Sequence, residues 1–96
     1  MNLIVAYDVN TETAEGRKRL RKVALICKNY GQRVQNSVFE CRVNEVQFEI
    51  LRSKLLEVIK KDKDNLKIYR LFGERDNCVE SYGIDRYLDF DDPLIV

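Results

Sequence analysis

Ninety-six residues with 17 basic and 16 acidic side chains suffice for one domain with a single modest core, and not for two. Hydrophobic residues at 45% and charged residues at 34% describe a folded soluble chain rather than a disordered one, and no apolar run approaches the roughly 20 residues that cross a bilayer. The absence of histidine removes the commonest general base and the commonest transition-metal ligand together.

The first element is the run Leu3-Ile4-Val5-Ala6-Tyr7-Asp8. Its brevity and its β-branched and aromatic content predict a strand, buried on both faces. No basic leader precedes it, which argues against a signal peptide. The run ends in a carboxylate, Asp8, followed by the turn and cap residues Val9-Asn10-Thr11. An acid at the C-terminal end of a central strand stands where α/β-type sheets place ligands. Thr11 or Thr13 then caps a helix, with Glu12 and Glu15 favourably placed near its positive end. Leu20, Val23, Ala24 and Cys27 give this helix an apolar face, widened by Leu25 and Ile26. Arg17, Arg21 and Lys28 share another face, with Lys18 and Lys22 alongside. Gly31 is expected to end the helix in the left-handed conformation.

In the segment from Arg33 to Val43, apolar β-formers are interrupted by Gln35-Asn36-Ser37. The pattern predicts two short strands, or one strand broken by a tight turn or bulge, with Ser37, Phe39, Cys41 and Val43 on one face. Asn44 and Gln47 form a capping-box pair opening a second helix, whose stripe is Phe48, Leu51, Leu55, Val58 and Ile59. That helix dissolves in Lys60-Lys61-Asp62-Lys63-Asp64-Asn65, read as a solvated charge run. Leu66-Lys67-Ile68-Tyr69-Arg70-Leu71-Phe72 is a further strand, ended by Gly73. The order is the split βαβ, ferredoxin-like βαββαβ arrangement of the α+β class, with both helices on one face of a four-stranded antiparallel sheet. Residues 1–73 complete that core. Residues 74–96 are a C-terminal extension, in which Cys78-Val79-Glu80-Ser81-Tyr82-Gly83 and Tyr87-Leu88-Asp89-Phe90 could each supply a short strand. The apolar end Leu94-Ile95-Val96, after Pro93, suggests addition to a sheet edge and hence a dimer.

The small net charge is unevenly distributed. Residues 14–33 hold seven basic side chains against Glu15, and residues 74–92 hold seven acids against Arg75 and Arg86. A helix with a single acid cannot neutralise its arginines by internal pairing. Because guanidinium matches phosphate geometry, the block points to a salt-sensitive, sequence-indifferent nucleic-acid contact. Asp8 has an ordinary reading as an Asx-turn acid and a functional one as a ligand for a hard cation. Mg²⁺ takes oxygen, often from only one or two carboxylates, and without histidine phosphodiester hydrolysis needs metal-activated water. One carboxylate per chain is thin for that role; two copies of Asp8 in a dimer are not. Tyr7 and Phe39 are candidates for base stacking or for the core, and Ser37 for a phosphate contact or a turn. Three widely spaced cysteines without a Cys-x-x-Cys pair suit reduced thiols in a cytoplasm, used for packing.

The pair Tyr7-Asp8, the Arg-rich helix, and Tyr30-Gly31-Gln32-Arg33-Val34-Gln35, Ser37-Val38-Phe39-Glu40 together resemble the CRISPR-associated protein two (Cas two) family over nearly the whole chain. The resemblance implies a ferredoxin-like homodimer in which the C-terminal strand packs on the other protomer's sheet. It implies a scaffold that holds duplex DNA with the CRISPR integrase (Cas one) during spacer acquisition. It also implies a Mg²⁺-dependent endonuclease, with Mn²⁺ as the alternative ion, acting on double-stranded DNA or single-stranded RNA. On the resemblance, Asp8 is the metal-site and catalytic acid, with Tyr7, Ser37 and Phe39 in support. Arg17, Arg19, Arg21 and Arg33 are the nucleic-acid-binding candidates, the helix arginines being interchangeable at this level. Two rival readings share the topology: a VapD-like toxin ribonuclease, marked by RNA-only preference, and an ACT-type small-molecule regulatory domain, marked by lack of salt-dependent duplex binding.

Overall fold

The computed structural model describes residues 1–84. The elements are β1 (Asn2–Asp8), α1 (Ala14–Lys28), β2 (Gly31–Gln35), β3 (Val38–Arg42), α2 (Glu45–Val58), β4 (Asn65–Leu71) and a one-turn helix, α3 (Arg75–Cys78). The strands form one antiparallel sheet in the order β2-β3-β1-β4, as the ferredoxin-like pattern requires. β1 is interior, paired with β3 from Asn2↔Arg42 to Ala6↔Val38 and with β4 from Asn2↔Leu71 to Asp8↔Asn65.

Strand periodicity sorts the core. Leu3, Val5 and Tyr7 are buried beside Phe39 and Cys41 of β3, and they pack with Val23 and Cys27 of α1 and Phe48, Leu51 and Leu55 of α2. The alternate β1 residues Ile4 and Ala6 are only half-buried, so β1 is covered on one face and not on both. The cause is topological: both helices bury their stripes on the same side of the sheet, leaving its other face open. Ile4 there lies in register between Glu40 and Tyr69.

The helix ends follow local chemistry. The Thr13 hydroxyl accepts from the Gly16 amide at 3.0 Å and so caps α1, settling the choice between the two threonines. Asn44 and Gln47 form the expected reciprocal capping box on α2. Gly31 departs from expectation. It does not adopt positive φ and opens β2 instead of closing α1. A Cβ there would overlap the Glu40 carbonyl oxygen and stand 2.6 Å from the Cys41 sulfur, so glycine serves the close approach of β2 to β3. Both a turn at Asn36-Ser37 and a register irregularity between Arg33 and Gln35 interrupt this hairpin.

Gly73, at φ 99°, turns the chain off β4. The strand expected over residues 78–83 is absent. Asn77 and Val79 donate to the carbonyls of Glu74 and Arg75 at 3.0 Å each, closing the turn of α3 on residues that favour local bonding. Arg75 then grips Glu40 through Nε–Oε2 at 2.8 Å and Nη2–Oε1 at 3.3 Å. Because Glu40 belongs to β3 and the chain arrives from β4, this pair ties the segment after β4 back to β3. The strand expected at residues 87–90 and the apolar terminus at 94–96 lie outside the described residues.

Candidate functional site

Asp8 ends β1 at its C-terminal edge, exposed and paired in register with Asn65 of β4. Alternation along β1 sends its side chain to the opposite face from Tyr7. Its carboxylate makes no ion pair or hydrogen bond among the described residues. The chain just beyond it is held from two sides. The Asn10 amide donates to Asp64 Oδ1 at 3.0 Å, and the Asn10 carbonyl lies so close to α1 that a Cβ on Gly16 would overlap it. A glycine inside a helix ordinarily costs about 1 kcal/mol relative to alanine; here it lets the loop after Asp8 pass over the first turn.

Asp64 is the anchor of this end of the molecule. Its side chain is fully covered, and it accepts from Arg19 Nε at 2.8 Å and Nη2 at 3.1 Å and from the amides of Asn10 at 3.0 Å and Lys60 at 2.9 Å. The Arg19 guanidinium first, and then the two amides, hold its carboxyl down at about 2. One carboxylate thus ties α1, the loop after β1 and the end of α2 together. The residues read as a solvated run are a fixed loop, and with Asp8 and Asn10 residues 61–65 border a shallow hollow of about 400 Å³, open to solvent.

Of the arginines expected to meet nucleic acid, Arg19 is turned inward instead. It is 8% exposed and occupied by Asp64. The buried stripe of α1 runs through Gly16, Arg19, Val23 and Cys27, which rotates Leu25, 62% exposed, out of the apolar face. Arg17, Lys18, Arg21 and Lys22 remain on the exposed side, with Arg17 Nη1 donating to the Thr11 carbonyl at 3.2 Å.

The remaining candidates form a second group on the helix side of the sheet. The Tyr7 and Phe39 rings stack with centroids 6.3 Å apart and planes at 24°. The Arg33 guanidinium lies 5.2 Å from the Phe39 centroid, within cation–π range. The Tyr7 amide donates to the Ser37 carbonyl at 3.1 Å. Tyr7, Phe39, Arg33 and Ser37 are therefore neighbours, while the Asp8 carboxylate is on the other face. The Tyr7 hydroxyl is buried with no hydrogen-bond partner among the described residues. Burial raises its pKa and the Arg33 guanidinium opposes the rise. Burial likewise pushes the Cys27 thiol up to about 12 and Cys41 to about 11, which keeps both as neutral packing groups.

No cluster of three or more His, Cys, Asp or Glu side chains suited to a metal exists among the described residues. The free Asp8 carboxylate nevertheless fits half of a hard-cation site, because Mg²⁺ is commonly held by one or two carboxylates with water and phosphate completing the shell. Asp64 does not complete it, its oxygens being taken by Arg19 and two amides. Sequence reasoning missed Asp64 and Asn10, and nothing in their spacing signals an anchor 45 residues from its arginine.

The chain is similar to known proteins along its whole length. The family model described as CRISPR associated protein Cas2 matches residues 1–79. "CRISPR-associated endoribonuclease Cas2 1" of Moorella thermoacetica is 52% identical, with 100% of both chains covered. "CRISPR-associated endonuclease Cas2" of Halalkalibacterium halodurans is 50% identical, covering 99% of each. Among solved structures, that of Streptococcus pyogenes Cas2 at pH 6.5 superposes with a TM-score of 0.77 at 48% identity, over 86% of this chain and 100% of that one. The match of fold, length and sequence places this chain in the CRISPR-associated Cas2 family.

Proposed function

We propose that the chain works as a homodimeric nucleic-acid-binding protein of CRISPR adaptation, holding duplex DNA for the CRISPR integrase (Cas one) during spacer acquisition. Its second capacity is Mg²⁺-dependent phosphodiester cleavage at Asp8. The observation that carries this reading is the unpaired Asp8 carboxylate at the end of an interior strand. The exposed Arg17 and Arg21 of α1 supply the phosphate-contacting face, with Arg33 on β2 as a further contact. Half-buried Ile4 and Ala6, and Tyr69 at 50% exposure, favour a second copy against the open sheet face. There the extension from residue 74 onward contacts the partner. Buried, free cysteines suit a cytoplasmic protein.

In this reading Asp8, one from each copy, would hold the cation. When bound there, Mg²⁺, or Mn²⁺ in its place, would supply Lewis-acid chemistry for phosphodiester hydrolysis. The protein's own part is positional. The Asn10 clamp fixes the backbone leaving Asp8, while the arginines bind the strand and orient the scissile bond.

Labelled duplex DNA and single-stranded RNA, incubated with Mg²⁺ or chelator and with wild type or Asp8→Ala, test this directly. Cleavage that requires Mg²⁺ and vanishes with Asp8 while binding survives supports both capacities. Cleavage unaffected by Asp8→Ala refutes the catalytic assignment. Duplex binding without cleavage leaves the scaffold role alone. The relatives named endoribonucleases favour RNA as a second substrate. RNA-only cleavage with no affinity for the integrase would turn the assignment toward a VapD-like toxin ribonuclease.

A further inference from the structure

We propose that Lys61 and Lys63, on the loop between α2 and β4, form a phosphate-binding rim beside Asp8 and seat the backbone of the bound nucleic-acid strand over that carboxylate. The inference rests on the reading of Asp8 and the α1 arginines as a nucleic-acid site, and adds a contact on a separate element. A carboxylate is a poor neighbour for a polyanion unless cations stand close by. Arg17 and Arg21 do not line the hollow at Asp8, so they leave open how a phosphate comes to rest at that carboxylate itself.

The loop supplies the cations. Lys61 and Lys63 line the same hollow as Asp8, with Asn10 and Asn65 contributing neutral polar groups. Both lysines are exposed, and neither is in an ion pair among the described residues. They are not the ends of a loose charge run. Asp64 accepts the Lys60 amide at 2.9 Å, and the Lys63 and Asp64 amides both return to the Lys60 carbonyl, at 3.0 and 2.7 Å. The loop backbone is thereby ordered before any ligand arrives, which lowers the ordering cost of binding.

The local charges fit this role. Asp64 is neutralised by Arg19, and Asp62 contributes to the field on that same arginine. Lys61 and Lys63 therefore balance Asp8 and Asp62, making the hollow locally neutral rather than acidic. The hollow is open to solvent, so a phosphodiester backbone can lie over it from outside. Ammonium groups on flexible stems suit this task, since they follow a backbone as point charges without demanding one geometry.

The test compares full-length wild type, Lys61→Ala/Lys63→Ala and Lys61→Arg/Lys63→Arg. It measures binding to labelled single-stranded RNA and duplex DNA across a salt series. The alanine pair should bind more weakly and lower the slope of log affinity against log salt by about 1–2, as expected for up to two lost phosphate contacts. Its melting temperature should match wild type, and the arginine pair should restore the slope. Amine acylation of wild type gives a second reading, in which bound nucleic acid should protect Lys61 and Lys63. An unchanged slope with unprotected lysines, while Arg17→Ala/Arg21→Ala still loses binding, overturns the rim and leaves the wider reading intact. Failure of wild type to bind either nucleic acid defeats that wider reading and the rim with it.

Discussion

Replacing Asp64 by asparagine keeps the shape of the anchor and removes its charge. The native carboxyl is held at about 2 against an ordinary 3.8, and each unit corresponds to about 1.4 kcal/mol. That difference sets an upper limit of about 2.5 kcal/mol at neutral pH, which solvent screening trims to about 1–2 kcal/mol. The direction follows from linkage. A depressed folded pKa contributes stability that is full above the unfolded value and is lost as pH falls through the folded one. The penalty of Asp64→Asn should thus be complete from about pH 5 upward, shrink between about pH 4 and pH 2, and vanish below that. For a domain of this size the neutral-pH loss corresponds to a fall of about 4–15 °C in melting temperature. Urea unfolding of both proteins, followed by far-UV circular dichroism at pH values from 7 to 2, measures the gap while cancelling the other carboxylates. A gap that stays constant on acidification, or is absent at pH 7, would refute the claim that Asp64 ties this end together through its charge.

The α1 arginines should separate by role. Arg17→Ala/Arg21→Ala should weaken nucleic-acid binding and its salt dependence with little change in melting temperature, whereas Arg19→Ala should lower the melting temperature clearly; equal binding losses with equal stability would erase the distinction drawn from burial. Tyr7→Phe removes a buried hydroxyl that has no partner among the described residues, so thermal unfolding should show stability unchanged or raised by up to about 1 kcal/mol, and a substantial fall would mean the hydroxyl is bonded in solution.

The element order was legible because hydrophobic period and end chemistry agree. Asn44 with Gln47 marks the start of α2 by the bonds those side chains later make, and the apolar stripe of α2 matches its buried face. The failures share a cause: they depend on partners far along the chain. Helical spacing places Arg19 on the buried stripe with Val23 and Cys27, yet hydrophobicity counts any arginine as outward until its acid is known. That acid lies in a lysine-rich segment with the composition of a solvated loop. Gly31 was read for its conformational freedom, when the neighbouring strand is what excludes a side chain. The unbroken apolar run of β1 suggests cover on both faces, although helices that share one side leave Ile4 and Ala6 half-covered. The proximity of Tyr7, Arg33, Ser37 and Phe39 came from family resemblance rather than from spacing. Their separation from Asp8, by contrast, follows from the sequence alone, since adjacent residues of one strand face opposite sides.

The stacked pair at the end of β1 also gives the protein an intrinsic optical reporter. The chain contains no tryptophan and five tyrosines; Tyr69 and Tyr82 are 50% and 86% exposed, while Tyr7 is 5% exposed and lies at a defined angle to Phe39. Near-ultraviolet circular dichroism depends on aromatic rings fixed in asymmetric surroundings, so Tyr7 should contribute strongly to that band. Its ring is one residue from Asp8 and touches the hairpin that carries Arg33 and Ser37. Occupation of this end of the sheet can therefore be followed in the unlabelled protein through a chromophore built into the strand itself.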